Sequence, residues 1–291
     1  MESFFSFLEK RVDDSSSLHC VGLDPHIPDL KEPTAASALD FCLNLVKQTA
    51  PYAAAFKPNA AFFEVYGSEG WVALKQVIEA IQQESNRLGS MIPVILDAKR
   101  GDIASTAEAY ARSAFENLGA HCITLNPYLG KDSVEPFIQN SEKGVFLLCK
   151  TSNAGSGDLQ DLIVTKDEGQ MTGEKASSLR PPSSVPLYIH VAQLAKKWNT
   201  KNNIGLVVGA THPQIMSNIR QAVPDLWFLA PGVGAQGGEL ESALKAGLRK
   251  DGKGILIPVS RGISRAENPR RAAAELRDSM LGIRGSIARN P

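Results

Sequence analysis

The stretch IPVILDAKRGD, residues 92–102, passes from a short apolar run directly into a charged cluster. Near-continuous hydrophobicity over a few residues is typical of a strand buried on both faces of a parallel sheet. Asp97, Lys99 and Asp102 follow at once, and charged groups that close a buried strand lose solvation unless they are paired or serve chemistry. The stretch therefore predicts a buried strand with a charged site at its end.

The same pattern recurs along the chain. Seven further runs are short, apolar and β-rich: HCVGL (19–23), YAAAFK (52–57), HCITLN (121–126), GVFLLCK (144–150), NIGLVVGA (203–210), LWFLAPG (226–232) and GILIPVS (254–260). Helix-like segments separate most of them. In residues 70–89, helical spacing relates Val72, Leu74, Val77, Ile78 and Ile81, and Gly89 marks the end.

Eight strands alternating with helices over 291 residues, without a break in composition, predict an α/β protein with a (β/α)8 TIM barrel. Residues 1–291 are expected to form a single domain, with a doubly wound sheet as the structural alternative. Residues 152–186 are rich in Gly, Ser and Pro and interrupt the unit after strand five. Both a solvated polar insertion and a lid over the barrel mouth remain open for this segment.

The composition limits the possible binding partners and the cellular compartment of the protein. Thirty-one basic residues balance thirty-one acidic ones, so no global field would recruit nucleic acid or an anionic membrane. Cys20, Cys42, Cys122 and Cys149 form no C-x-x-C pair, which favours reduced cysteines in a cytoplasmic protein. The histidines lack H-x-x-x-H spacing, so no metal site is predicted. MESFFSFLEKRVDD is typical of a short amphipathic helix rather than a signal peptide, and no apolar run reaches membrane-spanning length.

Barrel enzymes carry their catalytic groups at the C-terminal ends of the strands. Those ends supply Asp24, Lys57, Asp97 with Lys99, Asn126, Lys150 with Ser152, Thr211, Gly232 and Arg261. Asp97 and Lys99 are two apart, so an extended strand would point both to one face. Two carboxylates beside one ammonium favour its charged form, which predicts a proton donor rather than a Schiff-base nucleophile. An ion-pair array that only fixes the loop is the alternative.

The glycine-rich stretch APGVGAQGG (230–238) indicates where the site would hold the other end of a ligand. It contains G-x-G-x-x-G, but only one strand remains after it, so the dinucleotide-binding interpretation fails on context. In barrels the loops after strands seven and eight often bind phosphate. Arg261, in VSRGI, adds a fork of donors there. We therefore expect a phosphorylated substrate.

DAKRGDIAST (97–106) closely resembles the D-x-K-x-x-D-I-x-x-T signature of the orotidine 5'-phosphate decarboxylase family. GLDP, FKPNAAFFE, PGVGAQGG and SRGI resemble further family motifs, and NPYLGKDS is similar to its longer bacterial-type branch. The resemblance implies decarboxylation of orotidine 5'-phosphate to uridine 5'-phosphate (UMP), the last step of de novo pyrimidine synthesis, without metal or cofactor. It also implies a homodimer with shared active sites.

Roles for individual residues follow from the same resemblance. Lys99 would be the proton donor, with Asp97 beside it, and Asp102 with Thr106 would reach into the site of the other subunit. The substrate-binding residues would be Asp24 and Lys57 at the ribose, Ser152 at the pyrimidine edge, and Gly232, Gln236, Arg261 and Gly262 at the phosphate. Many members carry an acid-Met pair before that serine, whereas this chain has Lys150-Thr151.

Three rival functions remain at this point. A sugar-phosphate decarboxylase on the same barrel shares the D-x-K-x-x-D strand but uses Mg²⁺ held by carboxylates. The second strand here ends in Lys57, which disfavours that function. A phosphate-binding barrel without activity and a Schiff-base aldolase are the other two, and assays of turnover and of borohydride trapping separate them.

Overall fold

The computed structural model describes residues 2–166, 183–234 and 238–289, and its framework is a ring of parallel strands. Eight of the described strands form the ring, and two more form a separate antiparallel hairpin. In chain order they are β1 (His19–Leu23), β2 (Ala55–Pro58), β3 (Ile95–Arg100), β4 (Cys122–Leu125), β5 (Gly144–Lys150), β6 (Ile163–Lys166), β7 (Ser183–Pro186), β8 (Ile204–Val208), β9 (Phe228–Leu229) and β10 (Ile255–Val259). The hairpin is β6–β7, so the eight predicted runs supply the eight ring strands.

Pairing closes the ring. The strand order is β2-β1-β10-β9-β8-β5-β4-β3, and the two end strands meet through isolated parallel bridges, Phe56 with Val94 and Asn59 with Asp97. A doubly wound sheet keeps two open edges, so this closure excludes it. The predicted (β/α)8 TIM barrel is confirmed.

Helices surround the barrel. Those of the described residues are α1 (Phe4–Ser15), α2 (Ala35–Thr49), α3 (Ala61–Glu64), α4 (Gly67–Leu88), α5 (Ala104–Arg112), α6 (Lys131–Ile138), α7 (Gly157–Gln160), α8 (Leu187–Trp198), α9 (Pro213–Ala222), α10 (Leu240–Gly247), α11 (Arg261–Ser264) and α12 (Pro269–Arg289). None of the helices in these described ranges is long and apolar enough to cross a membrane.

Helix α4 corresponds to the helix predicted over residues 70–89. It begins three residues earlier, and it ends before Gly89, whose φ of 63° lies in the left-handed region that favours glycine. Most of the predicted apolar stripe is buried, but Val72 is 58% exposed and lies off the packed face. Val72 lies too far around the helix from the rest of the stripe for its side chain to reach the core.

Helix α1 confirms the predicted amphipathic N-terminal helix and covers the end of the barrel opposite the strand C-termini. Its Phe5 ring lies 5.6 Å from that of Phe146 in β5 and 5.9 Å from that of Trp227 beside β9. Phe4 packs where β5 begins, so closely that a side chain at Gly144 would collide with its ring. Each buried aromatic ring of this kind contributes roughly 1.5–3 kcal/mol. The other end of the barrel is left for the site.

The segment 152–186 contains more order than its composition predicts. Ile163 pairs with Pro186 and Lys166 with Ser183, which makes β6–β7 a hairpin of four paired positions outside the ring. The middle of the segment, residues 167–182, lies outside the described residues. The choice between a solvated insertion and a lid over the barrel mouth therefore stays open for this segment.

Candidate active site

Three charged side chains meet at the C-terminal ends of β2 and β3. Lys57 Nζ lies 2.5 Å from Asp97 Oδ2, and Lys99 Nζ lies 2.6 Å from Asp97 Oδ1. Each carboxylate oxygen therefore accepts a hydrogen bond from a different ammonium. The side chains of Lys57 and Asp97 are 9% and 11% exposed, whereas that of Lys99 is 51% exposed. Lys99 is thus the member of the array that is open to a ligand.

Burial and charge act in opposite directions on this array. Burial alone would lower the pKa of Lys57, but the negative charges of Asp97 and Asp24 outweigh it and hold that pKa above its ordinary value. Burial would likewise raise the pKa of Asp97, yet Lys57 and Lys99 together lower it far below the usual range. Asp97 is therefore a carboxylate and Lys57 an ammonium throughout the neutral range of pH.

The contact between Lys99 and Asp97 does not arise from simple strand alternation. Lys99 has a φ of 47°, in the left-handed region, so the backbone leaves the extended conformation at this residue. The i, i+2 spacing thus predicted the correct contact, although the backbone at Lys99 is not extended.

A pocket of about 640 Å³ opens beside the array at the same end of the barrel. Its walls include Asp24 from the end of β1, Lys57 from β2 and Ser260 from the end of β10. Asp24 Oδ1 and Ser260 Oγ are buried and have no hydrogen-bond partner among the described residues. Buried polar atoms are normally paired, so these two are suited to a polar ligand.

The far wall of the pocket is formed by the loops after β9 and β10, where the sequence predicts the phosphate end. Gly232, Gly234, Arg261 and Gly262 all line it. Gly232 and Gly234 have φ values of 105° and 76°, which only glycine adopts readily, so this turn depends on them. Gln236 lies outside the described residues. A guanidinium and a glycine-rich backbone thus converge on one end of the pocket.

At the end of β5, the unusual Lys150-Thr151 pair is tied to the segment that follows it. Lys150 Nζ lies 2.7 Å from Asp161 Oδ1, and the Lys150 side chain is 3% exposed. Gln160 Oε1 accepts the backbone N–H of Thr151 at 2.9 Å, and its Nε2 donates to the Thr151 hydroxyl at 2.9 Å. These contacts fold residues 154–161 back onto the strand end and fix the backbone on both sides of Ser152.

Two predicted site residues lie apart from the array within one chain. Asp102 Oδ1 accepts the backbone N–H of Ile103 at 2.8 Å, and no ion pair joins Asp102 to Lys99 in the described ranges. Thr106 is exposed on the first turn of α5. Ile103 between them is 51% exposed although it is apolar. The structure of one chain therefore leaves this surface open beside Lys99.

Thr124, in β4, is a member of the site that sequence reasoning missed. Its hydroxyl donates to Asp97 Oδ1 at 3.1 Å. A threonine in a buried β-rich run carries no signal of its own, because its place opposite Asp97 depends on the register between two strands. Among the described residues, no three His, Cys, Asp or Glu side chains are grouped as metal ligands would be.

Comparison with known proteins identifies the relatives of this chain. Residues 17–276 match the sequence model of the orotidine 5'-phosphate decarboxylase / HUMPS family. An orotidine 5'-phosphate decarboxylase of Roseiflexus castenholzii is 44% identical over 289 residues, which cover 98% of this chain and 97% of the relative. The one of Bordetella pertussis is 42% identical and covers 97% of this chain and 99% of its own length.

Solved structures extend the similarity to the fold. The Leishmania donovani OMP decarboxylase superposes with a TM-score of 0.81 at 48% identity, covering 97% of this chain and 99% of that one. The Leishmania donovani UMP synthase gives 0.83 at 51% identity, and this chain spans only 57% of its length. Because the family model matches residues 17–276 and a relative is 44% identical over 98% of the chain, the chain belongs to the orotidine 5'-phosphate decarboxylase / HUMPS family.

Proposed function

We propose that this carboxy-lyase converts orotidine 5'-phosphate to UMP in pyrimidine synthesis, with Lys99 as proton donor and without a metal ion or organic cofactor. The observation that carries the proposal is the Lys57–Asp97–Lys99 array beside a pocket whose far wall holds Arg261. The names of the relatives support the reaction.

The array suits the chemistry of this reaction. When the bond from ring carbon six to the carboxylate breaks, CO₂ leaves and the electron pair stays on a carbon with no adjacent electron sink. A fixed ammonium interacts more strongly with this developing charge than with the neutral ring carbon of the substrate, so it lowers the barrier selectively. Lys99 then donates its proton to carbon six. Asp97 keeps the ammonium in place, and Lys57 balances the second carboxylate oxygen.

The pocket suits the rest of the substrate. Asp24 Oδ1 and the Lys57 ammonium would hold the ribose hydroxyls, and the unpartnered carboxylate oxygen is the supporting observation. Arg261, Gly232 and Gly262 would hold the phosphate at the opposite wall, with Gln236 from the same loop. Phosphate binding far from the reacting carbon contributes by fixing the position of the ring.

The proposal includes a homodimer with shared sites, each chain being one catalytic domain. Asp102 and Thr106 do not reach the array of their own chain, yet they lie at the barrel mouth next to it. The neighbouring apolar side chains Ile103 and Tyr128 are 51% and 75% exposed. An open apolar rim around a charged site favours contact with a second subunit.

The proposed cellular location is the cytoplasm. All four cysteines are buried and free, as is usual in a reducing compartment.

The deciding experiment is an ultraviolet assay of orotidine 5'-phosphate decarboxylation by the purified protein, with and without a chelator. We expect the same rate in both arms. Loss of activity with the chelator, restored by Mg²⁺, would favour the metal-dependent sugar-phosphate decarboxylase chemistry instead. No turnover by the folded protein would contradict the proposed activity altogether.

A further inference from the structure

The register between β3 and β4 breaks at the charged array. Pairing stops after Leu96 and resumes at Arg100, so residues 97–99 of β3 oppose a single residue of β4, Thr124. Such a bulge leaves backbone groups without partners in the strand ladder and redirects the bulged side chains. Asp97 keeps its bridge to Asn59 on the β2 side, but on the β4 side both Asp97 and Lys99 lie in a segment that the strand ladder does not hold.

The Thr124 hydroxyl supplies what the ladder lacks. Its Oγ1 accepts the N–H of Ala98 at 3.1 Å and the N–H of Lys99 at 3.0 Å, and it donates to Asp97 Oδ1 at 3.1 Å. A hydroxyl has one donor and two acceptor positions, so its whole capacity is used by the three bulged residues. Thr124 is 2% exposed, which keeps water from replacing it.

Lys99 depends on such support more than an ordinary strand residue does. Its left-handed backbone, with a φ of 47°, is strained for an L-residue. Its side chain is half exposed, so packing does not set its direction. We propose that Thr124 is a positioning residue, which holds the 97–99 bulge so that the Lys99 ammonium stays aimed at the reacting carbon. This inference rests on the proposed function.

The test compares three substitutions at one position. Thr124→Ala removes the hydroxyl, Thr124→Val replaces it with a methyl group of similar size, and Thr124→Ser keeps it. We expect Thr124→Ala and Thr124→Val to lower kcat on the order of 100-fold, the effect of about 1 Å of misplacement, with KM within about threefold. Thr124→Ser should restore kcat to within about threefold of the wild type, because the three hydrogen bonds remain possible.

Thr49→Val is the matched control. Thr49 is also fully buried, but its hydroxyl donates to the Leu45 carbonyl within α2, away from the barrel mouth. This variant should lose some stability and keep kcat and KM. Calorimetric binding of UMP gives a second comparison, and it should remain near the wild-type affinity in all the Thr124 variants.

Hydrogen exchange of the Lys99 amide gives a readout without substrate. Exchange should accelerate in Thr124→Ala and Thr124→Val but not in Thr124→Ser, since the first two remove the acceptor of that N–H. Unchanged exchange of the Lys99 amide in Thr124→Ala would overturn the inference, and so would a Thr124→Ala kcat of at least a third of the wild-type value. So would an equal loss of kcat in Thr124→Ser, or a loss confined to KM. If the wild type itself lacked activity, the proposed function would fail, while the exchange measurement would still decide the role of Thr124.

Discussion

Gly209, which follows β8, lies directly against Ser152: a methyl group at Gly209 would lie 3.0 Å from both the Cβ and the backbone N of Ser152. The Gly209 N–H also donates to the Lys150 carbonyl at 2.7 Å, so the ends of β5 and β8 are joined at this point. A side chain here would displace Ser152, since well-packed positions yield only by shifting their neighbours. Gly209 therefore sets how near the proposed pyrimidine-binding serine lies to β8.

We expect Gly209→Ala to raise KM for orotidine 5'-phosphate about tenfold, the equivalent of roughly 1.4 kcal/mol for one displaced hydrogen bond. Gly282→Ala in α12 is the control, because nothing lies within 4 Å of its added methyl group. That control should keep KM and gain about 0.5–1 kcal/mol of stability, as alanine does in a helix. Equal KM in both variants would remove Ser152 from the substrate site.

Lys99→Ala should lower kcat at least about 100-fold, because it removes the ammonium that stabilises the developing carbanion. The fold should remain, since the Lys99 side chain is 51% exposed and packs into no core. Circular dichroism and single-turnover assays measure the two effects. Lys245→Ala, which removes an exposed lysine paired with Glu241, serves as the control. A Lys99→Ala enzyme that kept a tenth of the wild-type kcat would rule out Lys99 as the proton donor.

Arg261→Ala should act on binding, raising KM on the order of 10- to 100-fold through the loss of charge-assisted hydrogen bonds to phosphate. With a substrate truncated at the phosphate, added phosphite should increase turnover in the wild type and not in this variant. Arg271→Ala, on the exposed face of α12, is the matched control. An Arg261→Ala enzyme with unchanged KM would place the phosphate elsewhere.

The shared site of the proposed dimer can be tested by mixing two inactive variants, Lys99→Ala and Asp102→Ala. In a mixed dimer both lesions fall in one site, and the other site regains both side chains. Random exchange makes about half of the dimers mixed, so activity should reach roughly a quarter of wild type. Subunit exchange is monitored by mass spectrometry of a tagged partner. If exchange occurs and activity does not return, Asp102 serves its own chain.

Acid should destabilise the protein through two buried histidines. Burial lowers the pKa of His19 and that of His121 to about 4, so the folded protein leaves both rings neutral where the unfolded chain, with a pKa of 6.5, binds protons. Their contribution is fully present above the unfolded pKa and is lost as the pH falls towards the folded value. Lowering the pH from 7 to 5 should therefore decrease the free energy of unfolding by about 2 kcal/mol for each of the two histidines.

Urea unfolding across this range measures the effect. His19→Leu should reduce the slope of unfolding free energy against pH by nearly the amount that the uptake of one proton contributes. Leu18→Val, at the neighbouring buried position, should change stability and leave the slope unchanged. A His19→Leu slope equal to that of the wild type would show that His19 has the same pKa in the folded and unfolded states, which contradicts the prediction.

The barrel strands were predictable because each is a continuous apolar run, and the bounds of His19–Leu23 and Gly144–Lys150 agree with the predicted runs. The seventh run was overestimated: residues 226–232 were expected, and only Phe228–Leu229 form ladder pairs. Hydrophobicity reports burial, and it does not report which backbone groups are paired.

Within the site, charged residues at strand ends could be predicted, and the residue that holds them could not. Asp97 and Lys99 are conspicuous after an apolar run, whereas Thr124 matters only through the register that places it opposite the bulge. The β6–β7 hairpin was not predicted, for a related reason. Its SSVP strand has the composition of a turn, and it gains order from its pairing with Ile163–Lys166.

The β1–β10 pair of the ring joins distant parts of the chain. His19 pairs with Ile257 and Val21 with Val259, so β1 obtains its neighbour on that side about 240 residues after it has been made. At an elongation rate of about 5–20 residues per second, β1 waits roughly 10–50 s on the ribosome with one edge unsatisfied. An unpaired apolar edge is the feature that invites strand addition from other chains. The closed ring thus leaves one edge of β1 open to association with other chains until β10 has been synthesised.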